Sequence, residues 1–433
     1  MAGLNYVTFN QTHDLLTVAT TRGLRIYTTD PFDLTNQSYE EDISLVEQLF
    51  STSLVALILT PRLLRIVNTK KHSIICELTF HGMVVAVKMN RKRLVVLLEE
   101  VVFIYDISNM KLLTQQTTPV NTTGICAISP NSENNYLALP HCEKIPPNLQ
   151  SAPSHVPKSA IMKEAISGDV LLYDLNKMEE VTVIQAHQAP VSCIAINNDG
   201  KLMATASEKG TIIRVFSIPD GKKLYQFRRG SIPARIYCMS FNATSTLLCV
   251  SSATETVHVF KLAPASAGSP NSNGSPALPS SPPISPIKES HVSNDRSVSP
   301  SEAASESTTL DGESPALKKS RQAGLMSLVR RTSQTVSTSI VSRAAGYLPS
   351  SVTEMWEPQR DFAWMRIPRS TASGAPVRSV VAMANNVPHV MVATNEGDFY
   401  VYSLDLEKGG EGTLVKQFDD IHGLKHRRGH DDE

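Results

Sequence analysis

The 433-residue sequence lacks the features that mark several broad classes of protein. It contains no run of about 18 apolar residues, so we expect no membrane-spanning helix. Its 41 basic and 41 acidic residues give a formal net charge of zero, which argues against broad nucleic-acid binding. A charged region followed by an apolar region is missing from residues 1–16, so we expect no secretion signal.

Metal-binding and catalytic motifs are missing as well. The six cysteines form no CxxC pair and do not approach histidines at zinc-finger spacing, so we expect buried reduced thiols, no metal site and no cofactor. No nucleophile elbow, HExxH helix or phosphate-binding P-loop is present. His187 and His258 have no positioned nucleophile or carboxylate beside them in the pattern. We therefore expect the chain not to be an enzyme.

A short pattern recurs along the chain: an apolar run ends in an aromatic residue or valine and is followed by a polar turn. Seven copies are present, with the closing residues Tyr27, Val67, Tyr105, Tyr173, Phe216, Phe260 and Tyr402. Most spacings are close to the roughly 40 to 45 residues of a four-stranded propeller blade. The two longer intervals contain segments of loop-like composition, at about 140–167 and about 263–360.

The repeat predicts an all-β fold, a seven-bladed β-propeller with degenerate WD-type repeats and a long insertion. The IYD and LYD endings stand where such repeats carry Trp-Asp. Two stacked β-sandwiches are the alternative, but they would not explain seven copies in phase. The predicted division is blades 1 to 6 in 1–262 (with the insertion at about 140–167), the long insertion at 263–360, the final blade at 361–420 and a flexible tail at 421–433.

The long insertion changes composition along its length. Its first part, 263–314, is rich in serine, proline and alanine and contains six Ser-Pro steps, so we expect disorder. In 317–348, apolar residues recur at helical spacing among lysines and arginines. This pattern is typical of an amphipathic segment that inserts into an anionic bilayer. A disordered loop with chance periodicity is the alternative, since many Ser and Thr residues weaken the helix.

The motif Phe227, Arg228, Arg229, Gly230 (FRRG) ends a strand-like run. Successive side chains of a strand point to opposite faces, so the two arginines should reach different cavities. Gly230 is expected to let the chain turn away without a Cβ clash. Guanidinium groups bind phosphate oxygens bidentately, so the pair indicates two neighbouring phosphate sites. An arginine pair on a solvated strand is the alternative.

Hydroxyl and cationic residues concentrate on either side of this motif, in ATASEKG (204–210) and SSATETVHVFKL (251–262). Together with FRRG, these segments resemble the PROPPIN family, β-propellers that bind polyphosphoinositides, and in particular its autophagy-related, WIPI-like branch. The resemblance runs through nearly all of 1–262 and again through about 362–407. One departure is Thr205, which stands where the family often has serine, so a hydroxyl is kept.

The resemblance implies two lipid sites. The first, here the Arg228 site, comprises Arg228, His187, Thr205, Ser207, Thr211 and Arg214. The second, here the Arg229 site, comprises Arg229, Ser231, Ser252, Thr254, Thr256 and His258. The family's ligands are phosphatidylinositol 3-phosphate and phosphatidylinositol 3,5-bisphosphate.

The resemblance further implies a cytoplasmic autophagy effector that is peripheral on preautophagosomal, vacuolar and endosomal membranes. Pro61 and Arg62 resemble the surface that engages the family's large lipid-transfer partner, with solvated loop charge as the alternative. The alternative function is a generic WD-type scaffold that binds only proteins. In that case Arg228 and Arg229 would recognise an acidic peptide.

Overall fold

The computed structural model describes residues 3–38, 41–143, 165–262, 358–368 and 377–422. These residues form β-strands grouped in seven sheets. Nowhere in these ranges is there a helix long and apolar enough to cross a membrane.

The first three sheets each contain four strands that are consecutive in sequence and pair antiparallel. The first sheet contains β1 (Leu4–Phe9), β2 (Leu15–Thr20), β3 (Gly23–Thr29) and β4 (Phe32–Gln37). The second contains β5 (Leu45–Gln48), β6 (Leu54–Thr60), β7 (Leu63–Asn68) and β8 (Ser73–Thr79). The third contains β9 (Val84–Met89), β10 (Arg93–Leu98), β11 (Val101–Asp106) and β12 (Leu112–Thr117).

The remaining four sheets repeat this plan, with one addition. The fourth contains β13 (Ala127–Ile128), β14 (Tyr136–Glu143), β15 (Ala165–Asp174) and β16 (Glu179–His187). The fifth contains β17 (Val191–Ile196), β18 (Leu202–Ser207), β19 (Ile212–Ser217) and β20 (Lys223–Arg228). The sixth contains β21 (Ile236–Phe241), β22 (Leu247–Ser252), β23 (Thr256–Lys261), β24 (Ala363–Arg366) and the short parallel β28 (Gly410–Glu411). The seventh contains β25 (Ser379–Met383), β26 (His389–Thr394), β27 (Phe399–Ser403) and β29 (Thr413–Phe418).

The core consists of apolar clusters between neighbouring sheets. One such cluster lies at each of the seven sheet interfaces, including that between the seventh sheet and the first. Both faces of every sheet are therefore covered, which explains why the central strands are almost continuously apolar. The closed ring confirms the predicted seven-bladed β-propeller.

The recurring sequence pattern corresponds to one structural position. All seven closing residues lie in the third strand of their sheet, from Tyr27 in β3 to Tyr402 in β27. Most of them are buried between sheets, and Phe260 and Phe216 are at most 3% exposed. The aromatic side chains thus fill the space between blades, as the repeat requires.

The chain re-enters the propeller through the sixth sheet. β24 lies within the range predicted for the final blade, 361–420, but it pairs with β23, with Thr256 opposite Arg366. The predicted amphipathic segment 317–348 and nearly all of 263–360 lie outside the described residues, as do 144–164 and 423–433. No disulfide bond joins any of the six cysteines, all of which lie in the described ranges, and Cys142 and Cys249 are buried.

Candidate functional site

The FRRG motif ends the outermost strand of the fifth sheet. In β20, Phe227 pairs with Ile213 and Arg228 with Ile212 of β19. Phe227 is 1% exposed and its ring stacks on Phe260 of the sixth sheet, with centroids 4.8 Å apart. Because strand side chains alternate, Arg228 lies on the opposite face, towards the fourth sheet.

On that face, three side chains form a row across the fifth sheet. Thr205 of β18 lies opposite Arg214 of β19, which lies opposite Gln226 of β20. Arg214 Nε donates to Gln226 Oε1 at 3.0 Å, and its Nη1 donates to the carbonyl oxygen of Ala186 at 2.7 Å. The guanidinium therefore links the fifth sheet to the end of β16 in the fourth.

His187, at the end of β16, completes this row. Arg214 Nη1 lies 3.1 Å from His187 Nδ1, and His187 Nε2 lies 2.9 Å from Thr205 Oγ1. Burial, and secondarily the charge of Arg214, lowers the pKa of His187 to about 4. Nδ1 accordingly accepts from Arg214 while Nε2–H donates to Thr205. At neutral pH His187 is therefore uncharged, and its ring orients the Arg214 guanidinium and the Thr205 hydroxyl.

The rest of the Arg228 site surrounds the turn between β18 and β19. Ser207, at the end of β18, is buried, and its carbonyl oxygen accepts from Gly210 N. Thr211 is half-buried, and its carbonyl oxygen accepts from Arg229 N at 2.9 Å. Arg228 itself is exposed. The predicted residues thus gather at one end of the interface between the fourth and fifth sheets.

Arg229 differs sharply from its neighbour, because it is only 7% exposed. Its Nε donates to the carbonyl oxygen of Gly210 at 2.7 Å, and its Nη2 donates to that of Ile232. Nη1 lies 3.4 Å from Thr254 Oγ1 in the sixth sheet. Burial lowers the pKa of Arg229. No carboxylate within the described ranges forms an ion pair with it, so it presents a positive charge that lacks a partner anion there.

Three more residues of the Arg229 site come from the turn between β22 and β23. Ser252 and Thr254 share a hydroxyl hydrogen bond of 2.9 Å, and Thr256 Oγ1 donates to the carbonyl oxygen of Thr254 at 3.3 Å. Ser231, from the FRRG side, is exposed. These hydroxyls lie at the end of the interface between the fifth and sixth sheets.

Arg214 and His258 occupy equivalent positions in neighbouring blades. Arg214 lies opposite Thr205, and His258 lies opposite Val250, each two residues before the closing aromatic of its third strand. His258 Nδ1 lies 2.8 Å from Asp361 Oδ2. The expectation that no carboxylate accompanies this histidine is therefore wrong.

Two contributors were missed by sequence reasoning. Gly210 has φ +57°, and a Cβ there would collide with the carbonyl oxygen of Ala234. Its place in the ATASEKG turn is a signal that could have found it. Asp361 is 103 residues from His258, and no local pattern connects the two. Gly230 is the converse case: its φ is not left-handed and a Cβ would meet open space, so the expected steric need for glycine is wrong.

The second blade carries the residues predicted to bind a protein partner. Pro61 and Arg62 are exposed in the turn between β6 and β7. Arg62 Nε donates to the carbonyl oxygen of Phe80 at 2.8 Å, and that of Pro61 accepts from Val84 N at 2.7 Å. The basic pair Lys70 and Lys71 lies in the turn between β7 and β8, at the other end of β7. The two pairs therefore form no single surface.

Comparison with known proteins places these observations in a family context. The family model described as PROPPIN matches residues 3–145 and 155–277. "Autophagy-related protein 18" of Phaeosphaeria nodorum is 54% identical over 419 residues, which cover 96% of this chain and 100% of that protein. The protein of the same name from Neosartorya fischeri is 53% identical over 428 residues, with 96% of each chain covered.

Solved structures show the same architecture. One described as "Complex of KlAtg21 with coiled-coil of AgAtg16" is similar with a TM-score of 0.62 and 26% identity, covering 96% of this chain and 99% of that one. "Kluyveromyces lactis Hsv2 complete loop 6CD" has a TM-score of 0.64 at 17% identity and covers 97% and 100% of the two chains. At that identity the second likeness concerns the fold alone.

Proposed function

This chain belongs to the PROPPIN family and is related to autophagy proteins, and on that premise we propose that it is a phosphoinositide effector. Its proposed ligands are phosphatidylinositol 3-phosphate and phosphatidylinositol 3,5-bisphosphate in membranes. The Arg228 site and the Arg229 site each bind one headgroup. The chain thereby recruits autophagy machinery to the membrane that carries the lipid.

The observation that supports this proposal is that two adjacent arginines at the end of one strand face two different neighbouring sheets. Arg228 lies on the face of β20 that turns to the fourth sheet, the same face of the fifth sheet that carries Arg214. Arg229 contacts the turn of the sixth sheet through Thr254. Each is accompanied by hydroxyl groups that donate to phosphate oxygens without adding charge. Two anion sites beside one strand fit two lipid headgroups in one membrane.

Two sites on one rim change the binding energetics. Once the first lipid is bound, the second site meets its ligand at a high effective concentration. Avidity can then exceed either single affinity by roughly 10² or more. Weak headgroup sites therefore suffice for stable recruitment, and loss of one site weakens binding without removing it.

We propose that the chain acts by binding and not as an enzyme, on preautophagosomal, vacuolar and endosomal membranes. The structure of KlAtg21 with the coiled-coil of AgAtg16 supports protein partners for a chain of this family. The exposed turn with Pro61 and Arg62 is proposed as the contact for a large lipid-transfer partner.

The segment 317–348 is proposed as a third membrane contact, within an insertion at 263–360 that separates 1–262 from 361–420. Its support is the apolar periodicity and the flanking cations of the sequence. Phosphorylation of the preceding Ser-Pro sites would add about −1.5 to −2 charge each and oppose docking on an anionic leaflet.

Vesicle co-sedimentation at physiological salt tests the proposed function. Wild type is expected to bind vesicles that contain either phosphoinositide. It should not bind control vesicles in which phosphatidylserine supplies the same total negative charge. The variant Arg228→Ala/Arg229→Ala should lose this binding. Lys70→Ala/Lys71→Ala removes the same charge from an exposed pair at another turn and should retain it.

Because Arg229 also makes structural hydrogen bonds, the single variant Arg228→Ala provides a second arm. It should weaken vesicle binding while its melting temperature stays that of wild type. A wild-type protein without phosphoinositide preference would support the generic scaffold instead. Unchanged binding by a folded double variant would overturn the proposal.

A further inference from the structure

A carboxylate lies beside the histidine of the Arg229 site. Asp361 Oδ2 is 2.8 Å from His258 Nδ1, and the two side chains are 24% and 12% exposed. Among the described residues, no hydrogen bond involves the other ring nitrogen, Nε2. The arrangement therefore occupies one nitrogen of His258 and leaves the other for a ligand.

Asp361 is fixed in place by the strands on both sides of it. Gln359 N donates to the carbonyl oxygen of Gln226 at 3.1 Å, and Arg228 N donates to that of Gln359 at 2.8 Å. Phe362 N donates to the carbonyl oxygen of Val259 at 2.8 Å. The segment 359–362 thus bridges β20, which carries the arginine pair, and β23, which carries His258. Asp361 is held by backbone bonds and not by its side chain alone.

We propose that Asp361 is a positioning residue of the Arg229 site, which holds the His258 ring so that Nε2–H donates to a phosphate monoester. This inference rests on the proposed function. A phosphate dianion only accepts protons, so it needs a protonated Nε2. With Nδ1–H donated to Asp361 at the same time, the ring is an imidazolium between two anions.

The carboxylate has a cost, because it repels the phosphate directly. That repulsion is offset because the imidazolium lies between the two anions and is attracted by both. The Arg228 site needs no such carboxylate. There Arg214 occupies the position equivalent to His258, and its guanidinium is charged without a second group to hold its proton. Each site therefore contains one cationic hydrogen-bond donor at this position, which is Arg214 in the Arg228 site and protonated His258 in the Arg229 site.

The test uses Asp361→Asn, which conserves the shape but removes the charge, and whose amide NH2 can donate to an unprotonated Nδ1. In the full chain with Arg228→Ala, only the Arg229 site is left to bind, and soluble inositol 1,3-bisphosphate serves as the probe in titration calorimetry. We expect Asp361→Asn to weaken this binding about tenfold, since a charge-assisted hydrogen bond is lost. With His258→Ala added, Asp361→Asn should have no further effect.

A spectroscopic signature separates positioning from structural support. In the ligand-bound parent, ¹⁵N spectra should show both His258 nitrogens protonated, and in bound Asp361→Asn only one. Asp220→Asn, which removes an exposed carboxylate from the turn between β19 and β20, should change neither affinity nor spectrum.

Three results would overturn the inference while leaving the proposed function standing. Binding unchanged in Asp361→Asn would show that the carboxylate does nothing for the ligand. Tighter binding would show that it competes with phosphate. If Asp361→Asn lowered the affinity by the same factor in the His258→Ala background, Asp361 would act on the fold and not through His258. Failure of wild type to bind phosphoinositide vesicles is a separate result, which would overturn the function itself.

Discussion

At the scale of single residues, the two arginines of one motif are chemically different. Arg228 is exposed, whereas Arg229 is 7% exposed and donates to the carbonyl oxygens of Gly210 and Ile232. The alternation of a strand predicts that they diverge, but it does not predict that one is buried. Arg229 therefore has a structural role, which is to join the β18–β19 turn to the chain that follows β20.

This difference predicts unequal effects on stability. Arg229→Ala leaves the buried carbonyl group of Gly210 and the partly buried one of Ile232 without their partner, and it should lower the free energy of unfolding by about 2–3 kcal/mol. Arg228→Ala should change it by less than about 0.5 kcal/mol, as expected for an exposed side chain. Urea unfolding measures both. Equal losses in the two variants would contradict this account, as would full rescue by Arg229→Lys, whose ammonium lacks the fork that reaches both carbonyls.

His187 predicts a dependence of stability on pH. An unfolded histidine titrates near 6.5, whereas burial and Arg214 lower the pKa of His187 to about 4 in the fold. Between these values the unfolded chain binds more protons, so stability rises with pH. This contribution is complete above pH 6.5 and is lost as the pH falls towards 4, for a total of about 3 kcal/mol.

Comparison of His187→Gln with wild type isolates that contribution. Glutamine cannot titrate, so the variant should show a flatter dependence of unfolding free energy on pH between 4.5 and 7. Chemical denaturation across this range measures it. Parallel curves for the two proteins would show that His187 takes up its proton as readily in the folded as in the unfolded state.

At the scale of elements, the sequence predicts best what repeats locally. The closing residue of every third strand, such as Tyr105 of β11 or Phe216 of β19, was located correctly because packing between blades demands an aromatic or branched residue there. The pairing of β24 with β23 is not predicted by the sequence, since the two strands are about 100 residues apart in the chain. Asp361 was missed for the same reason, because its contact with His258 is made by topology and not by a local pattern.

The connection from β20 to β21 predicts a further effect on membrane binding. Ile232 is 73% exposed, the highest value among the large apolar side chains described, and its carbonyl oxygen is held by Arg229. A bilayer bound through both headgroup sites would lie against this tip. Ile232→Asp should therefore weaken vesicle binding about tenfold, because apolar burial is lost.

The soluble headgroup distinguishes this contact from damage to the sites. Affinity for inositol 1,3-bisphosphate should be the same in Ile232→Asp and wild type, since no bilayer is present. Ile74→Asp, at a 56% exposed position in the outer strand of the second sheet, is the matched control and should bind vesicles normally. Equal vesicle binding by both variants would remove Ile232 from the membrane surface.

At the scale of the whole molecule, ring closure relies on side chains. In the described residues β1 to β4 pair only with one another, so no strand pairing joins the seventh sheet to the first. Aromatic contacts bridge them instead, since the ring centroid of Phe32 lies 4.5 Å from those of both Phe399 and Phe418. In addition, Tyr27 Oη donates to the carbonyl oxygen of Ile421 at 2.7 Å. This interface is also the one that no direct chain connection spans.

Phe399→Ala should therefore weaken the ring at one place. Phe399 is fully buried, and its truncation should cost about 3–5 kcal/mol. Because neither strand pairing nor chain connection holds this interface, amide exchange should accelerate first in the first sheet (β1 to β4) and the seventh sheet (β25, β26, β27 and β29). Phe103→Ala, at the interface of the second and third sheets, is the matched control. Its faster amide exchange should not be concentrated in the strands on either side of the substitution, because the chain still connects the second sheet to the third. Uniform acceleration around the ring in Phe399→Ala would show instead that the seven sheets open as one cooperative unit, and the seventh–first interface would then be no weaker than the rest.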